Sequence, residues 1–332
     1  MGYTGGTITN ISAYQYSASG KQSGDTETPH LASGLDRVGG TIGQYSGSSW
    51  YLTTSVTTNS IIKGRNYIGG NVGLTSGGIN NLTSTNNTVI ASNQCAGGNI
   101  GYQSSWTNRN LTATNNTVTA TNYYAGGNIG YVTGRAGTYN LTSTNNKVNG
   151  GSHVGGNVGR FAYYTVVPYT LKVEGANTKI VGQNYVGGSV GYSNVRMRGV
   201  QVSDAELIKG TGSYVGGLVG YQAYTIPSIS ATSYGNYSIA SAKAKGLTIE
   251  GNSSYVGGIA GYSLGTIGGA VVEDCSITAT GDNAGGIAGY YAGYNGTSGS
   301  YVSASTFFLW HSYCFNSTVK ANNNAGGLVR KL

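Results

Sequence analysis

Charged residues are scarce in this chain of 332 residues, where Asp, Glu, Lys and Arg together make up 8%. The 18 basic and 10 acidic side chains give a formal net charge of +8, and the basic ones are scattered along the sequence. A nucleic-acid-binding domain normally gathers its Lys and Arg on one face, so we expect no nucleic-acid partner. No run of 18 apolar residues occurs either, and we therefore expect no membrane-spanning helix.

Proline and cysteine are equally rare, with three residues each. Because the 58 glycines follow no Gly-X-Y period, a collagen-like helix is excluded, and the 28 tyrosines argue against disorder. No Cys-x-x-Cys pair occurs, so we expect no zinc site and no other cofactor. Cys275 and Cys314 lie in comparable stretches of consecutive repeats. A disulfide between them stays open, since spacing alone does not establish the geometry.

Acidic residues, which a polysaccharide-cleaving solenoid needs in pairs, number only 10. On the predicted strands, Asp204 and Glu206 share a face, whereas Glu273 and Asp274 point to opposite faces. Neither pair is a persuasive acid–base couple, and we do not expect an enzyme. The three histidines lie far apart in sequence, with no triad-like or metal-ligand context: His30, His153 and His311.

What the chain has in abundance is one repeated phrase, clearest at residues 124–131, Tyr-Ala-Gly-Gly-Asn-Ile-Gly-Tyr. Self-similarity at intervals of 28 to 41 residues indicates a solenoid. Glycine is favoured in such a phrase where backbones approach closely or where φ is positive. No helical pattern follows that would make the phrase a phosphate-binding loop. The first glycines of the ten copies are Gly39, Gly69, Gly97, Gly126, Gly155, Gly187, Gly216, Gly257, Gly285 and Gly326.

One repeat, residues 110–131, shows how the unit is built. Apolar and polar residues alternate in residues 110–114 and again in 118–121, which is typical of strands with one buried face. The apolar parity changes at Asn115 and Asn116, and this pair predicts a corner because Asn tolerates left-handed backbone. The glycine phrase predicts a third strand. Three short strands per repeat of about 29 residues predict an all-β fold, a parallel β-solenoid (β-helix) of about ten to eleven turns.

Residues 1–34 fit the repeat poorly and predict a divergent end turn, a cap or an inter-subunit segment, whereas residues 35–332 form the solenoid. Longer insertions fall near residues 222–245 and 291–315. Two positions after the first glycine, the early phrases carry polar residues and the late ones apolar residues. We interpret this face as outward, so an apolar face must be covered by the insertions or by a partner. The candidate interface residues are Phe307, Phe308, Trp310, Leu328 and Val329.

The phrases at residues 214–221 and 255–262, Y-V-G-G-L-V-G-Y and Y-V-G-G-I-A-G-Y, resemble the GLUG motif of large bacterial surface and secreted proteins. That family includes adhesins and regions attached to immunoglobulin A peptidases. Residues 271–277 resemble the stretch that precedes the motif, and the resemblance extends from about Val38 onward. It implies a β-solenoid displayed outside a cell, extracellular or on the cell surface, and brings no catalytic residues. In the early copies, Leu of the motif is replaced by Asn71, Asn99, Asn128 and Asn157.

Stacked repeats place equivalent side chains above one another, so two sets of tyrosines predict aromatic ladders. The ladders stabilise the stack or form a face on which glycans bind. One set lies at the end of the phrase: Tyr102, Tyr131, Tyr192, Tyr221, Tyr262 and Tyr290. The other lies two residues before the glycine pair: Tyr124, Tyr185, Tyr214 and Tyr255. Candidate N-glycosylation sites are Asn10, Asn81, Asn86, Asn110, Asn115, Asn140, Asn236, Asn252, Asn295 and Asn316.

Three functions stay open at this point. The leading hypothesis is an extracellular structural protein, a subunit of a fibre, a pilus-like filament or a surface stalk. Its partner is a second copy of itself, because head-to-tail stacking of solenoid ends satisfies unpaired strand edges. The alternative is a glycan-binding adhesin or phage tail-fibre segment, with cell-surface glycans as partners. A polysaccharide-active β-helix enzyme is the third.

Overall fold

The structure, a computed structural model, describes residues 3–4, 8–13, 30–46, 51–104, 108–133, 138–162, 170–223, 237–252, 255–292 and 309–328. Within these ranges the regular elements are β-strands, and no helix occurs. The strands pair in parallel with those that occupy the same place one repeat earlier or later. The chain is therefore a parallel β-solenoid, as the alternation and the repeated phrase predicted.

Three long sheets form the sides, and each turn visits sheet A, then sheet B, then sheet C. The strands of sheet A are β1 (Tyr3–Thr4), β5 (Ile42–Tyr45), β8 (Val72–Thr75), β11 (Ile100–Gln103), β14 (Ile129–Val132), β17 (Val158–Phe161), β21 (Val190–Ser193), β26 (Val219–Gln222), β31 (Ala260–Ser263) and β36 (Ala288–Tyr291). Those of sheet B are β2 (Ile8–Ala13), β6 (Tyr51–Thr58), β9 (Gly78–Thr85), β12 (Asn108–Thr114), β15 (Thr138–Thr144), β18 (Leu171–Glu174), β23 (Val200–Ser203), β28 (Lys243–Lys245), β33 (Val271–Glu273) and β38 (Tyr313–Phe315).

Sheet C has 16 strands because four of its turns use one long strand, while the first turn and the five later turns use two short ones. They are β3 (His30–Ser33), β4 (Asp36–Gly39), β7 (Ser60–Gly69), β10 (Thr88–Gly97), β13 (Thr117–Gly126), β16 (Lys147–Gly155), β19 (Lys179–Gly182), β20 (Asn184–Gly187), β24 (Leu207–Gly210), β25 (Tyr214–Gly216), β29 (Thr248–Gly251), β30 (Tyr255–Gly257), β34 (Ser276–Ala279), β35 (Asn283–Gly285), β39 (Thr318–Lys320) and β40 (Asn324–Gly326). A fourth, short sheet D joins the later turns: β22 (Met197–Arg198), β27 (Ile239–Ala240), β32 (Ile267–Gly268) and β37 (Leu309–Trp310).

The number of enclosed turns is lower than the sequence predicted. Sheets A and B each stack ten strands, and taking away the two end strands of each leaves about eight turns that have a neighbour on both sides. The sequence predicted ten to eleven, because every glycine phrase was counted as a turn of the same kind. Gly39 and Gly326 mark phrases in the end turns, which have one neighbour among the described residues.

The alternation within a repeat is confirmed. Leu111 and Ala113 on β12, and Val118 and Ala120 on β13, are all fully buried. Between the two strands Asn115 adopts φ 54°, so the predicted left-handed corner is present. Identical residues stack at this level, since Leu111 pairs with Leu82 on one side and with Leu141 on the other.

The glycine phrase is a bend between sheets C and A, and the prediction that it forms a single third strand is wrong. In residues 124–131, β13 ends at Gly126 and β14 begins at Ile129. A Cβ on Gly127 would lie 1.9 Å from the carbonyl oxygen of Gly156 in the next turn. A Cβ on Gly130 would lie 2.6 Å from the carbonyl oxygen of Gly101 in the preceding turn. Close backbone approach therefore requires these glycines, while the positive-φ glycines of the described chain lie outside the phrase.

The residue two positions after the first glycine points into the core, so the prediction of an outward face is wrong. The bend directs this side chain inward, where the solenoid itself covers it. The apolar copies therefore need no insertion or partner to bury them in the enclosed turns. The buried set is Thr41, Asn71, Asn99, Asn128, Asn157, Ser189, Leu218, Ile259 and Ile287.

In the early turns this position forms a buried Asn ladder, made of Asn71, Asn99, Asn128 and Asn157. Each Nδ2 donates to the Oδ1 of the next member, at 2.8, 2.7 and 2.8 Å. The same Nδ2 atoms also donate to main-chain carbonyls of sheet B, as Asn128 does to Thr142 at 2.9 Å. Each amide is thus hydrogen-bonded along the axis and across it, which offsets the cost of burying polar groups.

A second buried ladder fills the corner between sheets B and C. The main-chain N–H groups of Ser60, Asn87 and Asn116 donate to the Oδ1 atoms of Asn87, Asn116 and Asn146 at 2.8, 2.8 and 2.7 Å. Nδ2 of Asn146 donates to the hydroxyl of Ser143 at 2.7 Å. These Asn side chains therefore satisfy main-chain donors that the corner leaves without a sheet partner.

In the later turns the same inward positions become apolar. On sheet B, Ser143 is followed in register by Val173, Val202, Ala244 and Val272. At the corner, Ala205, Leu247 and Cys275 are buried in place of the Asn residues. The interior thus changes from hydrogen-bonded amides to aliphatic packing while the strand pairing continues.

The insertions and the N-terminal segment supply strands where they are described. β28 and β38 belong to sheet B and β27 and β37 to sheet D, while residues 224–236 and 293–308 lie outside the described residues. Within residues 1–34, strands β1, β2 and β3 pair with the following turn, and residues 14–29 are not among the described residues.

The three cysteines are free thiols. Cys314 pairs in register with Val272, whereas the N–H of Cys275 donates to the Ser317 hydroxyl at 3.0 Å. The disulfide that the sequence left open does not form, because the two residues occupy different columns of the solenoid. In the part of the chain described, no helix has the length and apolar character needed to cross a bilayer.

Candidate functional site

A column of side chains runs along the outside of sheet A, one position after the last glycine of each phrase. The six predicted tyrosines lie in it, and Arg160 lies between Tyr131 and Tyr192. In the later turns the rings stack, with 5.4 Å between the centroids of Tyr192 and Tyr221 and 4.8 Å between those of Tyr221 and Tyr262. Pairing in register continues this column to Tyr290. The predicted stacking is present, and the glycan-binding role stays a prediction.

A second column follows the edge of sheet C, two residues before the glycine pair. In the early turns these residues have left-handed backbone, as at Tyr67, Tyr124 and Tyr185 with φ of 60°, 63° and 53°. Cys95 and His153 occupy the same position with φ of 62° and 59°. The left-handed residue forms a bulge in the strand and directs its side chain toward sheet A.

The two columns interlock, because the bend brings both ends of one phrase together. The rings of Tyr124 and Tyr131 are stacked with centroids 4.4 Å apart. Tyr214 meets Tyr221 edge-on at 5.1 Å. Such pairs contribute about 0.5–1.5 kcal/mol each beyond burial. A partly buried double aromatic column is thus built into the repeat.

Three tyrosines of this surface ionise less readily than a free phenol. Burial is the main cause that raises the pKa of Tyr131, Tyr214 and Tyr221, and neighbouring phenols raise that of Tyr221 further. Ring faces and hydroxyl groups are what the double column offers to a ligand.

The double column changes character around His153 and Arg160. The guanidinium carbon of Arg160 is 4.9 Å from the ring centroid of Tyr192 and 5.5 Å from that of Tyr131. Nη1 of Arg160 donates to the Tyr124 hydroxyl at 3.2 Å. The ring of His153 stacks on Tyr185, with centroids 4.6 Å apart. Burial, helped by the charge of Arg160, lowers the pKa of His153 to about 3.

Sequence reasoning did not single out Tyr67, His153 or Arg160. The signal was available, because Tyr67 and His153 each precede a glycine pair by two residues and Arg160 follows the last glycine of its phrase. Repetition of tyrosine alone does not reveal positions where another residue fills the same place. Nor does it reveal that the bend joins the two sets of tyrosines.

The acidic candidates do not form catalytic pairs in the described residues. Asp204 and Glu206 flank buried Ala205 at the corner between β23 and β24, so the prediction that they share a strand face is wrong. Glu206 forms an ion pair with Lys179 at 2.7 Å.

Glu273 and Asp274 were predicted to point to opposite faces, which is also wrong. Both converge on Lys245, at 3.0 and 3.9 Å, because the chain turns at Asp274, where φ is 54°. No cluster of three or more His, Cys, Asp or Glu that could hold a metal ion occurs in the described ranges.

The candidate interface is described only in part. Phe307, Phe308 and Val329 lie outside the described residues. Trp310 and Leu328 belong to the last turn and are 39% and 43% exposed. Trp310 also borders an open cavity of about 220 Å³ beside sheet D, together with Arg198, Tyr237 and His311.

Three of the candidate glycosylation sites, Asn86, Asn115 and Asn316, lie at the corner between sheets B and C, whereas Asn81, Asn110 and Asn140 are left-handed residues within strands of sheet B. In the early turns, Nδ2 of Asn110 donates to Oδ1 of Asn81 at 2.9 Å and Nδ2 of Asn140 donates to Oδ1 of Asn110 at 3.0 Å. Asn236 and Asn295 are not among the described residues, and the side chain of Asn10 is likewise outside them. The exposed sites are Asn81, Asn86, Asn110, Asn115, Asn140, Asn252 and Asn316.

No family model and no curated protein matches this chain. Among solved structures, the chain is similar to a crystal structure of a proposed immunoglobulin A1 protease from Bacteroides ovatus. The similarity has a TM-score of 0.29 at 14% identity and covers 99% of this chain and 77% of the other. At that score it supports no conclusion about function.

Proposed function

We propose that this chain is an extracellular structural rod, a subunit of a fibre, pilus-like filament or surface stalk that stacks end to end with further copies. The repeated phrases that resemble the GLUG motif support a location outside the cell. A stack of parallel strands held together by neighbouring turns supports a load-bearing role, since each turn is bonded to the next along the whole axis. The ten stacked strands of sheets A and B correspond to about 48 Å of rod at about 4.8 Å per turn.

The observation that carries this proposal is the open last turn. Ile287 of the preceding turn is fully buried, whereas Leu328, which lies one repeat further on, is 43% exposed. Ala325 in the same turn is also exposed, although it pairs in register with fully buried Ala284. Apolar residues that face the axis are thus left uncovered, together with strand edges that have no partner in the described chain.

The first turn offers the matching surface. Strand β2 pairs only with β6, and β1 only with β5, among the described strands. Because all pairs are parallel, the open edge of a first turn has the direction that the open edge of a last turn requires. This contact is head-to-tail and does not close on itself, so it builds a filament rather than a dimer.

The test is end-to-end assembly of the purified chain, followed by negative-stain electron microscopy and sedimentation velocity. We expect rods that lengthen with concentration in steps of one copy. Val319 faces the axis in the last turn and pairs with buried Ile277. We expect Val319→Asp to abolish lengthening, because an unpaired carboxylate would be buried in the joint. Thr318→Asp, the matched control on the exposed face, should leave it intact. Single rods at all concentrations would contradict the proposal.

A glycan-binding adhesin or tail-fibre segment is the second candidate, and the double aromatic column favours it. Its rings are only partly buried, so a stripe of neutral aromatic surface faces the solvent along several turns. A glycan array distinguishes this role: binding should be lost when Tyr192, Tyr221 and Tyr262 become Ala. Replacing the same residues by Phe keeps the rings and should keep most of the binding, whereas an array without hits removes the candidate.

A further inference from the structure

Arg160 is a cation set into an otherwise neutral aromatic surface. It occupies a tyrosine position in the column of sheet A, directly between Tyr131 and Tyr192. Tyr124 and His153 line the same place from the column of sheet C, because Tyr124 accepts a hydrogen bond from Arg160 and contacts the ring of His153 at 5.0 Å. The guanidinium group lies over the rings of Tyr131 and Tyr192, so it continues the column and adds a positive charge to it.

The charge of Arg160 has no counter-ion among the described residues. The acidic side chains that form ion pairs there all do so with other cations. Asp36 pairs with Arg65, Glu174 with Lys172, Glu206 with Lys179, Glu250 with Lys209, and Glu273 with Lys243 and Lys245.

Two polar atoms at this place also lack a hydrogen-bond partner. Nε of Arg160 and Nδ1 of His153 are both buried and make no hydrogen bond in the described structure. Of the donors on the guanidinium group, Nη1 is engaged by Tyr124. A buried group without a partner costs free energy that an incoming ligand can recover. The low pKa of His153 keeps its ring neutral near pH 7, so the site carries one positive charge.

We infer that Arg160, with the rings of Tyr124, Tyr131, Tyr185 and Tyr192, binds a carboxylate-bearing saccharide. The planar guanidinium group matches a carboxylate in geometry and charge. The partly buried tyrosine rings above and below it offer faces on which an apolar side of a sugar ring packs. The net charge of +8 favours the approach of an acidic polymer over longer distances. This inference goes beyond the structural role and does not depend on end-to-end assembly.

The test is isothermal titration calorimetry with a hexamer of galacturonic acid, and with its full methyl ester as the ligand that keeps the rings but loses the charge. We expect the acid to bind and the ester to bind at least tenfold more weakly. Arg160→Gln should weaken binding of the acid at least tenfold. Lys147→Gln removes an equal charge from the exposed side of β16, and its affinity should stay within twofold of the original.

Arg160→Tyr guards against a folding artefact, because it continues the tyrosine column and should melt at the same temperature as the unaltered chain or higher. We expect it to bind the acid no better than Arg160→Gln does. The inference is overturned if the acid does not bind, if the ester binds equally well, or if Arg160→Tyr retains the affinity. Acetate that competes at the same concentration as the hexamer would also overturn it, because the site would then recognise a simple anion.

Discussion

The early turns, residues 51–162, and the late turns, residues 190–292, share the glycine bend but differ at the inward positions that the two Asn ladders occupy. Asn99 and Asn128 lie in the core of the early turns, and Leu218 and Ile259 fill the same inward position in the late ones. The glycine bend and the parallel register continue through both regions. The comparison teaches that the fold is set by the bend and the strand alternation. The interior chemistry is free to change, provided that several stacked positions change together.

The outer surface also differs between the two regions, and its aromatic columns are more regular in the late turns. The late turns carry an unbroken stack of tyrosines from Tyr192 to Tyr290. In the early turns Leu74, Cys95, His153 and Arg160 interrupt the two columns. The region with a hydrogen-bonded interior thus has the irregular surface, and the region with the aliphatic interior has the regular aromatic one.

The largest expected effect comes from breaking the buried Asn ladder in its middle. Asn128→Leu leaves one hydrogen of Asn99 Nδ2 and the Oδ1 of Asn157 without their partners. A buried polar group without a partner costs about 1–3 kcal/mol, so we expect a loss of about 4 kcal/mol in unfolding free energy. Urea unfolding followed by circular dichroism measures it. The control is Asn122→Leu, which removes the exposed hydrogen bond from Asn122 to Asn93. This substitution should lower the unfolding free energy by less than about 1 kcal/mol.

The reciprocal change in the late turns should have a slightly smaller effect. Leu218→Asn removes buried aliphatic surface and places an amide beside Ile259, which cannot accept a hydrogen bond. We expect a loss of about 3 kcal/mol by the same urea measurement. Leu218→Met keeps the volume and should cost less than about 1.5 kcal/mol. If Leu218→Asn were neutral, the two interiors would be interchangeable one residue at a time, and the comparison above would be wrong.

Acid should weaken the early region through His153. Its pKa is about 3 in the folded chain against 6.5 for the free side chain, so the unfolded chain binds the extra proton between these values. The contribution of His153 to the unfolding free energy has its full value above pH 6.5. Below that pH it falls by about 1.4 kcal/mol per pH unit. The groups that face His153 are Arg160 and the rings of Tyr124, Tyr185 and Tyr192.

His153→Tyr continues the aromatic column and removes this titration. We expect the variant to match the original chain at pH 7 and to exceed its unfolding free energy by about 2–3 kcal/mol at pH 4.5. His311→Tyr, on an exposed histidine of the last turn, is the control for the change of residue type. Parallel pH profiles of His153→Tyr and the original chain would show that His153 does not control acid stability.

The smallest effect concerns the reaction rates of the three thiols, which show how well the turn around each cysteine is enclosed. Burial raises the pKa of Cys95, and it raises that of Cys275 to about 11, so both are unreactive thiols inside enclosed turns. Cys314 in the last turn is only partly buried. With an aromatic disulfide reagent at pH 8, we expect Cys314 to react first and the other two only at the rate of unfolding. Equal rates for all three would contradict the enclosure of the middle turns.

Much of this architecture could be predicted from the sequence, because it depends on local periodicity. The alternation at Leu111 and Ala113 and the corner at Asn115 follow from short-range rules for strands and left-handed residues. The direction of Asn128 could not be predicted in the same way. It depends on the bend between Gly126 and Ile129, which turns Asn128 inward next to Ile129, whereas a straight strand would point two adjacent residues to opposite sides.

The candidate site was only half predictable for a related reason. Repetition revealed both sets of tyrosines, but their contact depends on how tightly the bend folds. Only the 4.4 Å stack of Tyr124 on Tyr131 shows that the sets form one surface. Arg160 is informative because it departs from the repeat, and repetition alone gives such a residue no weight.

The most direct test of the account is hydrogen–deuterium exchange of the asparagine side-chain amides, followed by nuclear magnetic resonance. The central claim is that Nδ2 of Asn99 donates to Oδ1 of Asn128, and Nδ2 of Asn128 to Oδ1 of Asn157, inside the stacked turns. Their NH2 protons should therefore exchange many times more slowly than those of exposed Asn86 and Asn115. Exchange of all four amides at the same solvent-exposed rate would contradict the buried ladder and, with it, the stacked solenoid.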